Sequence, residues 1–260
     1  MKSAVINICR CVVPRRLREA IVHFGFNLEV EEFLRFANLY AYAPDMKAGL
    51  QALRRLGVDA RTIVDVGAFK GGWSGMAREV WPDSNISMIE PQTEMLPELR
   101  RKAEQLGAHL HEALLGAEDG KEIEFVIMQS GSSVFEEQSE VPRRREMRTL
   151  RTLDRLLPDL PQIDVLKIDA EGYELEILRG AESSLRKTGV VLLEVSLIPT
   201  NHGAPLVHEV LEFMKDREFV AYDIVEFHRR PIDRALSKID IVFVKEFSEL
   251  RRDHRHSGKA

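Results

Sequence analysis

The chain has 260 residues, 44% of them hydrophobic and 30% charged, with a formal net charge of -5. That length buries one substantial core, so one α/β catalytic domain with a short extension is expected rather than two full domains. The bulk charge offers nothing to a polyanion, which argues against a nucleic-acid partner, and Cys9 and Cys11, the two cysteines, are too close for a disulfide framework or a usual zinc pair.

The stretch before Pro14 is apolar but broken by Arg10, and Pro14-Arg15-Arg16 is no small-residue cleavage site, so it does not read as a secretory signal. No later run reaches the roughly 20 apolar residues of a bilayer span. A reduced, cytoplasmic protein is the expectation, with peripheral membrane contact through Arg10, Arg15, Arg16 and Arg18 left open. From Leu17 to Leu56 apolar residues recur at helical spacing, with breaks near Gly25 and at Pro44. Residues 1–60 are therefore a helical extension: a candidate lid, homodimer surface or acceptor-binding element.

Thr62-Ile63-Val64-Asp65-Val66 then runs as a β-branched strand into the turn Gly67-Ala68-Phe69-Lys70-Gly71-Gly72. Beyond it strands are expected at Ile86 to Glu90, His109 to Leu115, Val165 to Asp169 and Val190 to Ser196. Helices are expected at Gly72 to Val80, Thr93 to Leu106, Tyr173 to Lys187 and Leu206 to Lys215. This alternation predicts a Rossmann-like, mostly parallel sheet over residues 61–246. Lys121 to Met128 is expected to pair with the preceding strand through the turn Glu118-Asp119-Gly120. Phe219 to Val225 and Ile239 to Lys245, joined by the polar His228-Arg229-Arg230-Pro231, close the sheet, seven-stranded with an antiparallel last strand. A basic, flexible tail occupies residues 247–260.

The glycine turn lets backbone N–H groups approach a ligand, but its spacing is neither that of a dinucleotide fingerprint nor that of a phosphate-binding loop. Asp65, just before it, is placed either to bind an ammonium group or to orient the loop. Glu90 ends the second strand roughly 20 residues after the glycines, where an acid grips ribose hydroxyls. In Leu166-Lys167-Ile168-Asp169-Ala170-Glu171-Gly172 an apolar strand delivers Asp169 and Glu171 to the same crevice, and Lys167 either pairs Asp169 or positions an acid. Glu194, inside Val190-Val191-Leu192-Leu193-Glu194-Val195-Ser196, is a carboxylate in an apolar run and so implies a pocket or a fixed partner. His202 and His208 are weaker candidate bases, and no histidine-carboxylate spacing indicates a metal. The cluster Arg143-Arg144-Arg145 with Arg148 and Arg151 reads as a solvated loop in preference to an anion site.

Together these segments resemble the FkbM family of methyltransferases. The resemblance rests on Asp65-Val66-Gly67-Ala68 with Gly71 and Ser74, Ile89-Glu90-Pro91, Thr152-Leu153-Asp154, Lys167-Ile168-Asp169-Ala170-Glu171-Gly172 with Glu174 and Gly180-Ala181, Leu193-Glu194-Val195, and Ile241 to Lys245. It implies an S-adenosylmethionine-dependent methyltransferase of the Rossmann-like class, methylating a hydroxyl of a saccharide or natural-product acceptor. Cofactor contacts then fall to Asp65, Gly67, Ala68, Phe69, Gly71, Ser74, Glu90 and Pro91, and catalysis to Asp169, Glu194 and Glu171, with Asp169 the preferred base. Phe69 stands where the family often has Asn, a contact that Lys70 or Ser74 would have to replace. Two other readings compete: a cofactor-binding scaffold without catalysis, and methylation of a macromolecular nitrogen. Neither an Asn/Asp-Pro-Pro-aromatic string nor a basic, aromatic-interleaved patch supports the latter.

Overall fold

A computed structural model describes residues 44–128, 131–135 and 141–256. The expectations for residues 1–43 and for the end of the tail lie outside the described residues. Helix α1 (Met46–Arg55) starts at Asp45, whose side chain accepts from the Ala48 N–H at 2.8 Å, and buries Met46, Leu50 and Leu53. Strand β1 (Thr62–Val66) follows, then α2 (Gly72–Val80), β2 (Asn85–Glu90) and α3 (Leu96–Leu106), each near its expected bounds.

The expected strand His109 to Leu115 divides. Strand β3 (His109–Glu112) pairs with β2 in the main sheet, and after Ala113 the chain leaves as β4 (Leu114–Leu115). The hairpin expected at Glu118-Asp119-Gly120 is not formed. Strand β5 (Glu122–Ile127) pairs instead, antiparallel, with β6 (Arg144–Arg151), which also takes β4 in parallel, giving a small sheet ordered β4-β6-β5. The arginine cluster is thus largely strand, not loop. Its cations are matched: Arg144 to Glu94, Arg145 to Glu124 at 3.4 Å, Arg148 to Glu146 at 2.9 Å and Arg151 to Asp119 at 3.1 Å. Such exposed pairs contribute only ~0.2–1 kcal/mol each, but they leave little charge to offer an anionic ligand.

Helix α4 (Leu153–Leu156) leads to β7 (Ile163–Ile168). The single helix expected from Tyr173 breaks at Gly180 into α5 (Glu174–Arg179) and α6 (Glu182–Arg186), and only glycine fits at the break: a Cβ on it would stand 2.1 Å from the Gly116 carbonyl oxygen. Strand β8 (Thr188–Ser196) and α7 (Val207–Lys215) precede β9 (Phe219–Arg229) and β10 (Leu236–Lys245). The last two strands are longer than expected, and β9 absorbs His228 and Arg229 of the polar stretch assigned to their loop.

The main sheet runs β3-β2-β1-β7-β8-β10-β9, with β10 antiparallel to both neighbours and the other pairings parallel. Ile63, Val165, Val190 and Leu192 face one apolar cluster, while Val64, Leu166, Val191 and Leu193 face the other. Both faces are covered, which is why the central strands read as continuous apolar runs rather than alternating ones. The strand order reverses between β1 and β7, so a crevice opens past the carboxyl ends of those strands. Among the described residues no helix is long and apolar enough to cross a membrane.

Candidate active site

Asp65 on β1 faces Lys167 on β7 in register, and the buried pair is 3.1 Å apart. Ser74 Oγ donates to the other Asp65 oxygen at 2.6 Å, and Lys167 Nζ donates to the Gly67 carbonyl at 3.0 Å and stands 3.5 Å from Asp169. Burial alone would pull the lysine's pKa down; Asp65 and Asp169 more than reverse this, so it stays protonated. Of the two roles open to Asp65, orienting the loop is the one its partners serve. Lys167 takes both of its roles at once.

Gly67 (φ +72) presses against the strand end of β7: a Cβ there would stand 1.9 Å from the Asp169 carbonyl oxygen. No other residue fits. Phe69, two residues on, also has positive φ (+49), and its N–H donates to Glu90 Oε2 at 2.7 Å. The Gln92 N–H donates to Glu90 Oε1 at 2.9 Å. Burial raises the Glu90 pKa, and these two N–H groups with Lys167 pull it back. Each carboxylate oxygen has two lone pairs, so Glu90 retains an acceptor position on each for a diol.

Gly67, Phe69, Glu90 and Pro91 line a cavity of about 260 Å³ together with Asp169, Glu171 and Glu194. Its apolar wall includes Ile89, Ala113, Leu114, Leu115, Phe125 and Tyr173. The remaining candidates Asp65, Ala68, Gly71 and Ser74 are not part of this lining. Gly71 (φ +74) packs close to Met88 and Lys102, and Ser74 is engaged by Asp65. Lys70 pairs with Glu98 at 3.3 Å.

The acidic turn after β7 is held from several sides. Buried Glu174 accepts from the N–H groups of Ala170 (2.9 Å) and Gly172 (3.1 Å), and burial lifts its pKa to about 7. The carbonyl of Glu171, itself at φ +53, accepts from Asn201 Nδ2 at 2.6 Å and Ser133 Oγ at 2.9 Å. Asp169 is the open member, its side chain 39% exposed. Carboxylate oxygens of Asp169, Glu171 and Glu194 lie within 4.8 Å of one another. Lys238 of β10 contacts both Glu171 and Glu194, the latter at 2.7 Å. Burial, then Asp169, push the Glu194 pKa well up against the pull of Lys238, and Glu171 is raised by burial in the same way. His228 Nε2 lies 2.6 Å from Asp240 Oδ2 and 3.8 Å from Glu194 Oε1.

Residues 65–221 match the model of the methyltransferase FkbM domain, more than half of the chain. The chain belongs to the FkbM methyltransferase family. No curated protein matches it. Three solved structures to which it is similar are all methyltransferases. An FkbM methyltransferase from Methylobacillus flagellatus KT shares 15% identity over 70% of this chain and 44% of its own, with a TM-score of 0.46. A precorrin-6y C5,15-methyltransferase from Geobacter metallireducens GS-15 shares 18% over 76% and 86%, with a TM-score of 0.45. A magnesium protoporphyrin IX methyltransferase from Synechocystis PCC 6803, with bound SAM, shares 12% over 76% of each chain, with a TM-score of 0.45.

Several motif residues of this FkbM domain serve the scaffold. Thr152 caps α4 through the Arg155 N–H, and Asp154 accepts from the Ser183 and Ser184 N–H groups at 2.8 and 2.7 Å, closing the start of α6. His202 and His208 are exposed and outside the cavity lining. Sequence reasoning missed Lys238, His228 and Asp240, which lie beyond the matched residues. Asp240 carried a usable signal, a carboxylate in the apolar run Ile239-Asp240-Ile241-Val242-Phe243, the same anomaly that marked Glu194. Asn201 carried none.

Proposed function

We propose that this domain methylates a hydroxyl oxygen of a saccharide or natural-product acceptor, using S-adenosylmethionine. The observation that carries the reading is one cavity at the strand-order reversal lined by Glu90 and by Asp169, Glu171 and Glu194. The lining suits such a cofactor chemically: Glu90 offers two acceptor positions for a ribose diol, Leu114, Leu115 and Phe125 a surface for a flat base, and the acids a partner for an ammonium group. The cofactor, when bound, supplies an electrophilic methyl group.

The chain's own contribution is position and a proton acceptor. The buried Asp65–Lys167 pair and the Gly67 contact lock the turn after β1 to the turn after β7, so both walls of the cavity are set before a ligand arrives. Holding reactants in line supplies ~7–11 kcal/mol of a bimolecular barrier. Asp169 takes the hydroxyl proton as the new oxygen–carbon bond forms, because Glu171 and Glu194 are both engaged by Lys238 while Asp169 is the more exposed acid.

The test is mass spectrometry of surface saccharides and extracted metabolites from strains with and without the protein, followed by transfer assays with purified Asp169→Asn. One methyl group should disappear from an oxygen in the deletion strain, and the variant should lose ~10²-fold or more in turnover at saturating cofactor. Methyl loss from a nitrogen would refute the acceptor class, and wild-type turnover by the variant would remove Asp169 from its role.

A further inference from the structure

Asp169, Glu171 and Glu194 come from two adjacent strand ends, and three carboxylates with oxygens within 4.8 Å repel one another unless a proton or a cation is shared among them. A divalent ion is the common solution to this geometry, with oxygen ligands at ~2.0–2.6 Å. Here the space between two of the acids is already taken. Lys238 Nζ reaches Glu171 and Glu194 simultaneously, and its side chain is only 16% exposed.

We propose that Lys238 is the resident cation of this carboxylate cluster, standing where a divalent ion would bridge Glu171 and Glu194 and fixing both acids beside Asp169. In this role it is a positioning residue. It lies outside the cavity lining and acts through the two glutamates it holds. The catalytic consequence rests on the proposed function, since it leaves Asp169 as the acid that Lys238 does not hold and the most exposed of the three.

The surroundings favour an ammonium over a metal. The second group with metal-like spacing is Glu194, His228 and Asp240. His228 donates its Nε2 proton to Asp240, and that hydrogen bond first of all lifts its pKa to about 9. At neutral pH the ring is therefore a second cation, 3.8 Å from Glu194. Burial alone would lower the pKa of Lys238, but Glu194 and Glu171 beside it more than reverse this, so the ammonium persists. The groups that bear on the cluster are Asp169 and Lys167 from β7 and its turn, Glu171 from the same turn, Glu194 from β8, Glu226 and His228 from β9, and Lys238 and Asp240 from β10. The two cations nearest Glu194 both come from the β9–β10 pair, beyond residue 221 where the family match ends.

The experiment needs neither acceptor nor cofactor, so a failure of the proposed function leaves it decisive. Full-length wild type, Lys238→Met and Lys238→Arg, labelled with ¹³C at glutamate carboxyls, are titrated by NMR, with Glu171→Gln and Glu194→Gln assigning the signals. Removing an opposite charge raises a carboxyl pKa, so in Lys238→Met the Glu171 and Glu194 transitions should move up by ~1–3 pH units, and Lys238→Arg should restore them. A lysine that is merely structural would lower the melting temperature without moving either transition, and unmoved transitions overturn the proposal. Mn²⁺ titrated into the wild type, followed by electron paramagnetic resonance, should remain free. Saturable Mn²⁺ binding that Glu194→Gln abolishes would overturn it independently, even if Lys238→Met does not fold.

Discussion

The two walls of the cavity treat their carboxylates differently. On the β1–β2 side each acid is held by fixed partners: Asp65 by a hydrogen bond from Ser74 and an ion pair with Lys167, Glu90 by two backbone N–H groups. On the β7–β8–β10 side three carboxylates crowd together, and two of them, the raised acids Glu171 and Glu194, share Lys238. Acids held in this way make a rigid recognition surface, whereas crowded ones have protonation states that neighbours and pH can move. The first arrangement suits a constant ligand and the second suits proton transfer. Lys167 joins them, touching an acid of each.

The joint should be the most sensitive place. Lys167→Met leaves Asp65 buried beside a single hydroxyl, and breaking such a pair costs ~3–5 kcal/mol, read as a fall in the urea midpoint. A loss under ~1 kcal/mol, the range of exposed pairs, would mean the two walls are not coupled there. Glu90→Gln should weaken S-adenosylmethionine binding by roughly tenfold, about 1.4 kcal/mol, in calorimetry, and should cost ~1–3 kcal/mol of fold stability because only one of the two N–H groups keeps an acceptor. Unchanged affinity would separate Glu90 from recognition and erase the contrast.

Glu174 tests the acidic wall through pH. Its folded pKa of about 7 exceeds the ordinary 4.5, so between those values the folded state holds more protons than the unfolded one, and its contribution to stability falls as pH rises. One Glu174 oxygen accepts both turn N–H groups, so Glu174→Gln retains the acceptor. Urea titrations from pH 4.5 to 7.5 should show a shallower decline for the variant; parallel curves would place the proton elsewhere. The smallest effect is expected at Phe69, whose positive φ is one that Asn tolerates better. Phe69→Asn should stabilise by about 1 kcal/mol or less, read as a small rise in melting temperature; a fall would show that the ring's packing in the cavity wall outweighs the backbone relief.

Legibility followed the range of the interaction. The strands ending at Val66, Glu90, Ile168 and Ser196, and the helices after three of them, were readable because period, β-branching and glycine punctuation are properties of adjacent residues. Glu90, Asp169, Glu171 and Glu194 were readable for a related reason, since the ends of parallel strands converge whatever else the chain does. Strand β6 was not readable: its charged, mostly exposed residues lack an apolar face, and its pairing with β5 spans a separation that no local pattern encodes. The need for glycine at position 180 comes from the approach of Gly116, far away in sequence.

The sequence by itself therefore determined the doubly covered sheet, the family, and which acids reach the cavity, because each is a consequence of local periodicity and strand polarity. Only the tertiary structure decided which acids were free to act. That Asp65 is consumed by Ser74 and Lys167 follows from the parallel register of β1 with β7, and that Glu171 and Glu194 are bound by a lysine from the last strand follows from antiparallel pairing of β10 with β8. Such register between distant segments is set by packing of the whole sheet, and charge partnership depends on distances of a few ångströms that sequence separation does not carry.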